Sequence, residues 1–178
     1  ADRPLQLEDV AHSPGLDVAN EERDTPIVTL RPAAEQDLGM VWVWANDPVT
    51  RAVSLNSEAI PYDSHSAWFR QSLQRDDRRL WIAQLNEEPV AVLRLDLPEN
   101  DGAEVSIHVA PSGRGRGLGR AALRALSDEA RAMGLESLGA AIRSDNGSST
   151  RAFEAVGYAH DGTRDVRGVS VEWYVLTL

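Results

Sequence analysis

Short apolar runs, alternating or helically spaced, cover most of the chain, and the polar gaps between them mark the turns. Ile27 to Arg31 reads as a first strand. From Glu35 to Trp44 the spacing is helical, with Leu38, Val41, Trp42 and Ala45 on one side, and Asn46-Asp47-Pro48 breaks the run. Residues 49 to 63 read as a loop or short helix. Ser64 is the expected N-cap of a helix over Ala67 to Gln74, with Trp68, Phe69 and Leu73 as its apolar stripe. Leu80 to Leu85 and Pro89 to Leu97 form an expected hairpin around Asn86-Glu87-Glu88, and Glu104 to Val109 is a fourth strand. A long helix follows from about Leu118 to Met133. Leu118, Ala122, Ala125, Leu126, Ala130 and Met133 form its stripe, and Gly134 stops it. Leu138 to Ile142 is a fifth strand. A helix over Ser148 to Val156 ends at Gly157. Tyr158 to Thr163 and Val169 to Leu176 close the chain as strands, with Val169, Val171, Trp173 and Val175 on one face. Trp81 and Trp173, inside strands, are expected in the core, as are Trp68 and Phe69.

Composition narrows what such a chain can do. Its 178 residues suffice for one domain with a sizeable core. Residues 1 to 25 are polar and acidic and read as an arm or linker, which leaves one domain over 26 to 178. No run approaches the roughly 20 apolar residues that span a bilayer, and the N-terminus lacks the pattern of a secretory signal. Cysteine is absent, which excludes disulfides, thiolate metal ligands and cysteine nucleophiles. A cytoplasmic location is the default expectation. The net charge of −10 argues against nucleic acid as a partner. His12, His65, His108 and His160 lack metal-site spacing, so no metal is expected.

The most informative run is Val109-Ala110-Pro111-Ser112-Gly113-Arg114-Gly115-Arg116-Gly117-Leu118-Gly119-Arg120. It joins the fourth strand to the long helix. A strand, a glycine turn and a helix N-terminus gather backbone N–H groups and the positive end of the helix dipole into a cradle for phosphate oxygens. A Walker loop would end in Gly-Lys-Ser/Thr, and the chain contains no lysine. Gly117, Gly119 and Ala122 satisfy the looser dinucleotide form, but the preceding strands read as an antiparallel hairpin and too little chain follows for a doubly wound sheet.

Arg114, Gly117 and Gly119 instead spell Arg-x-x-Gly-x-Gly, which resembles the acetyl-CoA pyrophosphate loop of the GNAT superfamily of N-acetyltransferases. The element order β-α-α-β-β-β-α-β-α-β-β is similar to that family over roughly 27 to 178. Asn146 to Tyr158 looks like its Asn-x-x-Ser/Ala-x-x-x-Tyr-x-x-x-Gly-Phe segment, with Phe153 where tyrosine is usual. The resemblance implies an α+β fold, a mixed and mostly antiparallel sheet flanked by helices.

It also implies acetyl-CoA as cosubstrate and acetyl transfer to a primary amine by direct attack in a ternary complex. Arg114, Gly115, Arg116, Gly117, Leu118, Gly119 and Arg120 would hold the pyrophosphate. The backbone of Ile107 and Val109 would face the pantetheine arm, with Asn146 and Phe153 as further cosubstrate contacts. The chemistry needs a neutral amine, a polarised carbonyl and a stabilised thiolate. Glu104 is the leading base. His108 on the same strand face is a second, with an imidazole near its ordinary pKa of about 6.5. The Val109 N–H is the expected oxyanion donor. Phe153 cannot act as the acid, and Ser148 or Ser149 would hydrogen-bond the sulfur.

On the acceptor side, Trp42 to Arg51 resembles family members that acetylate ribosomal-protein N-termini or nucleotide-linked amino sugars, and His65-x-x-Trp68-Phe69 looks more like the amino-sugar group. Trp44, Arg51 and His65 would supply an aromatic face and a phosphate partner. A protein N-terminus or an antibiotic amine remains an alternative acceptor, and the phenylalanine at 153 keeps open a non-catalytic, CoA-binding regulatory module. The expected partner is a small-molecule amine, with neither nucleic acid nor membrane. Many relatives dimerise, but no residue decides the oligomeric state.

Overall fold

A computed structural model of the chain describes residues 25–97 and 102–178. The expected arm over residues 1 to 25 lies outside the described residues except for Thr25. The chain forms strands β1 (Thr29–Pro32), β2 (Arg78–Leu85), β3 (Glu88–Asp96), β4 (Ala103–Val109), β5 (Ser137–Ile142), β6 (Ala159–Val166) and β7 (Val169–Thr177). Its helices are α1 (Leu38–Ala45), α2 (Pro48–Val53), α3 (Tyr62–Gln74), α4 (Leu118–Ala132) and α5 (Gly147–Glu154). The strands make one sheet in the order β1-β2-β3-β4-β5-β7-β6. All neighbours run antiparallel except β4 and β5. The fold is therefore the α+β arrangement expected from the sequence.

Period-two alternation sorts the sheet's side chains onto two faces. Trp81, Ala83, Ala91, Leu93, Leu95 and Val105 join the larger core against α4. The buried stripe of α4 includes Leu118, Ala122, Leu126 and Ala130, spaced four residues apart. Leu80, Ile82 and Val92 point the other way and pack with Leu38, Val41 and Trp44 of α1 and Phe69 of α3. The β2–β3 hairpin turns at Asn86 and Glu87, both left-handed at φ 50 and 69, in the turn geometry that matches strand twist.

Several expectations need correction. Ser64 does not cap α3: the helix starts at Tyr62 after Pro61, and the His65 N–H already donates to the Pro61 carbonyl at 3.0 Å. The short helix that the sequence allowed after Asn46-Asp47-Pro48 does form, over residues 48 to 53, with Asp47 as N-cap, its carboxylate accepting from the N–H groups of Val49 and Thr50. Met133 is exposed rather than buried. In β7 it is Tyr174 and Leu176 that enter the larger core. Trp173, on the opposite face, is half-buried and lies under the Arg164 guanidinium at 4.0 Å. Its indole crosses β5 where glycine leaves room, since a Cβ at Gly139 would fall 2.3 Å from the Trp173 ring.

Candidate active site

The pairing of β4 with β5 sets up the site. Only Ala103 with Leu138 and Glu104 with Gly139 are in register, and beyond them the strands part. The Ala110 N–H donates to Val90 of β3 at 2.8 Å. By antiparallel alternation, the N–H and C=O groups of Ile107 and Val109 therefore face away from β3, into the gap. Backbone groups there have no sheet partner, so an extended ligand with amides can pair with them as an added strand would. A cleft of about 1000 Å³ occupies the gap.

At one end of the cleft lies the glycine loop. Gly115 and Gly117 are left-handed, at φ 71 and 72, and Gly117 is the N-cap residue of α4. A left-handed residue here is cheap only for glycine. The first helical bond runs from the Ala121 N–H to Gly117 at 3.0 Å. Among the described residues, the N–H groups of Gly115, Arg116, Gly117, Leu118 and Gly119 donate to no backbone carbonyl. Together with the positive end of α4 they form a ready anion cradle. Gly119 lets α4 lie close on β4, since a Cβ there would sit 3.3 Å from Val109. The Arg114 side chain turns away from the cradle, donating to the Asp47 carboxylate at 2.5 Å and to Thr50 at 2.9 Å. It therefore ties the loop to α2. Arg116, Leu118 and Arg120 stay at the loop, with Leu118 and Arg120 lining the cleft.

Glu104, Ser106 and His108 share the other face of β4 and line the cleft beyond the loop. Burial raises the Glu104 carboxyl above the usual carboxylate range, and Arg94 opposes that shift. His108 departs from expectation. Burial lowers its imidazole to about 4, and the cations Arg51, Arg94, His65 and Arg114 add to the effect. It is therefore neutral at pH 7, well below the ordinary imidazole range expected from the sequence.

The expected acceptor residues separate. His65 lines the cleft, is buried, stacks on Phe69, and its Nε2 has no hydrogen-bond partner. Arg51 also lines the cleft, but its guanidinium is spent on the chain itself. It donates to the carbonyls of Ala45 (2.6 Å) and Asn56 (2.8 Å) and to the Ser54 hydroxyl (2.9 Å). Trp44 does not reach the cleft; it is buried in the smaller core. The half-buried Trp68 lines the cleft; Phe69, fully buried, reaches it from the smaller core, and Trp81 is a core residue as expected.

A family model described as the acetyltransferase (GNAT) family matches residues 34–158. The chain belongs to that family. It is an acyltransferase of the GNAT type, as the glycine loop and element order had implied. A relative in Bacillus subtilis (strain 168), named "Putative phosphinothricin acetyltransferase YwnH", is 30% identical over 142 residues, covering 76% of this chain and 86% of the relative. Among solved structures, AAC(6')-Ib in complex with ribostamycin and coenzyme A superposes with a TM-score of 0.77 at 22% identity, over 85% of this chain and 93% of that one. The structure described as "yncA, a putative ACETYLTRANSFERASE from Salmonella typhimurium with its cofactor Acetyl-CoA" gives 0.67 at 24% identity, over 84% and 93%.

The GNAT segment after β5 keeps its frame here but not its tyrosine. Asn146 lines the cleft as the N-cap of α5, accepting from the Ser149 N–H at 3.2 Å. Phe153 is buried and packs edge-on against Tyr158, with ring centroids 4.8 Å apart. Ser148 and Ser149 line the cleft at the start of α5. Among the described residues no cluster of His, Asp or Glu could hold a metal ion, and no helix is long and apolar enough to cross a membrane.

Some contributors escaped the sequence reading. Arg94 interrupts the apolar run of β3 on the same face as Val92, and that single charge was the available signal. Arg143 pairs with Asp145 at 2.6 Å and donates to the Ser54 carbonyl at 2.9 Å. With Arg114 it pins both ends of α2 across the cleft. Nothing local announces a contact between residues so far apart in the chain.

Proposed function

We propose that this GNAT protein is an acetyl-CoA-dependent N-acetyltransferase of a small primary amine, acting by direct attack in a ternary complex. The observation that carries the reading is the open backbone of Ile107 and Val109, with a glycine cradle at one end of the same cleft. The cradle suits a pyrophosphate, and the strand edge suits pantetheine amides. Acetyl-CoA complexes of the family's solved relatives support the same cosubstrate.

In this reading the acetyl carbonyl lies by the Val109 N–H, which stabilises the oxyanion as it forms. Glu104 takes the proton from the ammonium, directly or through water. The neutral amine attacks the carbonyl carbon and a C–N bond forms; the nitrogen loses its second proton to water and the C–S bond breaks. CoA leaves as thiolate, since Phe153 has no proton to give. In this reading Ser149, which lines the cleft, hydrogen-bonds the sulfur. His65, with its unpartnered Nε2, is the acceptor contact, and Arg51 acts indirectly by holding residues 54 to 58.

The acceptor field comprises nucleotide-linked amino sugars, the aminoglycosides named in related structures, and the phosphinothricin of the Bacillus subtilis relative's name. Thiol release from acetyl-CoA across a panel of such amines tests the reading. Amine-dependent release is expected. CoA binding with no release from any amine would favour a non-catalytic CoA-binding module.

A further inference from the structure

The acceptor end of the cleft runs against the charge of the whole chain. The protein carries −10 overall, yet Arg51, Arg94, Arg143 and Arg167 line the cleft, and among the described residues its carboxylates are Glu104 and Asp145. Not all of that positive charge is neutralised. Arg143 is matched by Asp145. Arg51 binds carbonyl and hydroxyl oxygens, which hold a guanidinium without cancelling its charge. Arg94 has Asp96 at 2.9 Å, but Arg78 also claims that carboxylate, at 2.5 Å. The Arg94 Nε lies within ion-pair distance of Asp96 but out of hydrogen-bond alignment, and it has no other partner. Arg167, at the β6–β7 turn, has no carboxylate partner among the described residues. Arg94 and Arg167 both act on Glu104 electrostatically, as do Asp96 and Arg164. Arg94 shares Asp96 with Arg78, and Arg167 pairs with no described carboxylate, so the cleft carries guanidinium charge that an anionic ligand would satisfy.

We propose that the acceptor carries a carboxylate or phosphate close to its amino group, which docks on Arg94 and Arg167 while the amine faces Glu104. This rests on the acetyltransferase reading and narrows its substrate class. The arrangement orients the amine by its anionic end and disfavours polycations, because an added ammonium would meet Arg51, Arg94 and Arg167 rather than acidic side chains.

Thiol release read as kcat/KM tests this with matched amines: an α-amino acid against its amide, a nucleotide-linked amino sugar against the free amino sugar, and kanamycin as a polycation. In at least one pair the anionic member is expected to exceed its neutral partner by about tenfold or more, as one charge-assisted contact implies. The pair that responds tells carboxylate from phosphate. Arg167→Asn, which tolerates the left-handed turn, and Arg94→Gln are each expected to shrink that ratio at least about threefold, chiefly through KM of the anionic member. If amines are acetylated with no preference for the anionic member, or kanamycin is the best acceptor, the inference is wrong and the acetyltransferase reading stands. An unchanged ratio in Arg167→Asn would likewise overturn it, since that exposed turn residue can be replaced without unfolding the core. If no amine supports thiol release, it is the functional reading that fails.

Discussion

Burial raises the Glu104 carboxyl, and this has a direct kinetic signature. A base must be deprotonated to act, so kcat/KM should rise with pH through a midpoint above the usual carboxylate range. Glu104→Gln is expected to lower the rate about 10²- to 10⁴-fold, remove that rising limb and leave CoA affinity nearly unchanged. An unaltered pH profile would exclude Glu104. Asp37 behaves in the opposite sense. It is buried, holds Arg31 by two hydrogen bonds of 2.7 and 2.8 Å, and accepts from the Ala34 N–H. The Arg31 partnership lowers its carboxyl below the usual range. A lowered folded-state pKa contributes stability that is present above the unfolded-state value and is lost as pH falls through the folded one. Asp37→Asn should cost about 1–3 kcal/mol at pH 7 by thermal or urea unfolding, and the deficit should shrink in acid. Residue chemistry was only partly legible in the sequence. Glu104 and His108 could be placed on one strand face from period two alone. Their environments could not, because the cations that depress His108 come from β3, α2, α3 and the glycine loop.

Elements carry the site by their junctions. Gly117 ends the loop in a left-handed conformation, and a Cβ there would meet only Pro26 at 3.6 Å and the end of the Arg120 side chain at 3.9 Å. Gly117→Val is therefore opposed by backbone strain more than by a clash, at about 1–2 kcal/mol, and its side chain also intrudes on the cradle. The expected outcome is a large loss of CoA affinity in calorimetry with a modest drop in melting temperature; normal CoA binding would count against the cradle. Gly139→Ala places a methyl against the Trp173 ring, which also lies under the Arg164 guanidinium, so about 1–3 kcal/mol of stability should be lost in urea unfolding. Helices and strands were legible from spacing wherever apolar periodicity was sustained, as in α4. The start of α3 was not, because Ser64 looks like a cap while the chain enters the helix from Pro61. In β7 the place of Trp173 was misread because both faces carry large apolar residues: Val171 on its own face is fully buried, yet Tyr174 and Leu176 on the other enter the larger core.

At the scale of the whole molecule, the sheet is continuous except where β4 and β5 part, and that one break makes the site. The cradle and the strand before it were legible because they are contiguous in sequence. The gap was not, because it depends on how far two strands separated by a whole helix remain paired. Nor were the Arg114 and Arg143 struts that fasten α2 across it. The central claim is that this gap binds acetyl-CoA along β4 and that Glu104 deprotonates an amine there. Amine-dependent release of CoA thiol from acetyl-CoA, measured for the native chain and for Glu104→Gln, tests it most directly. Release by the native chain, slowed at least about a hundredfold in the variant with CoA affinity retained, is the expected result. Equal rates in the two proteins, or thiol release that ignores the amine, would contradict it.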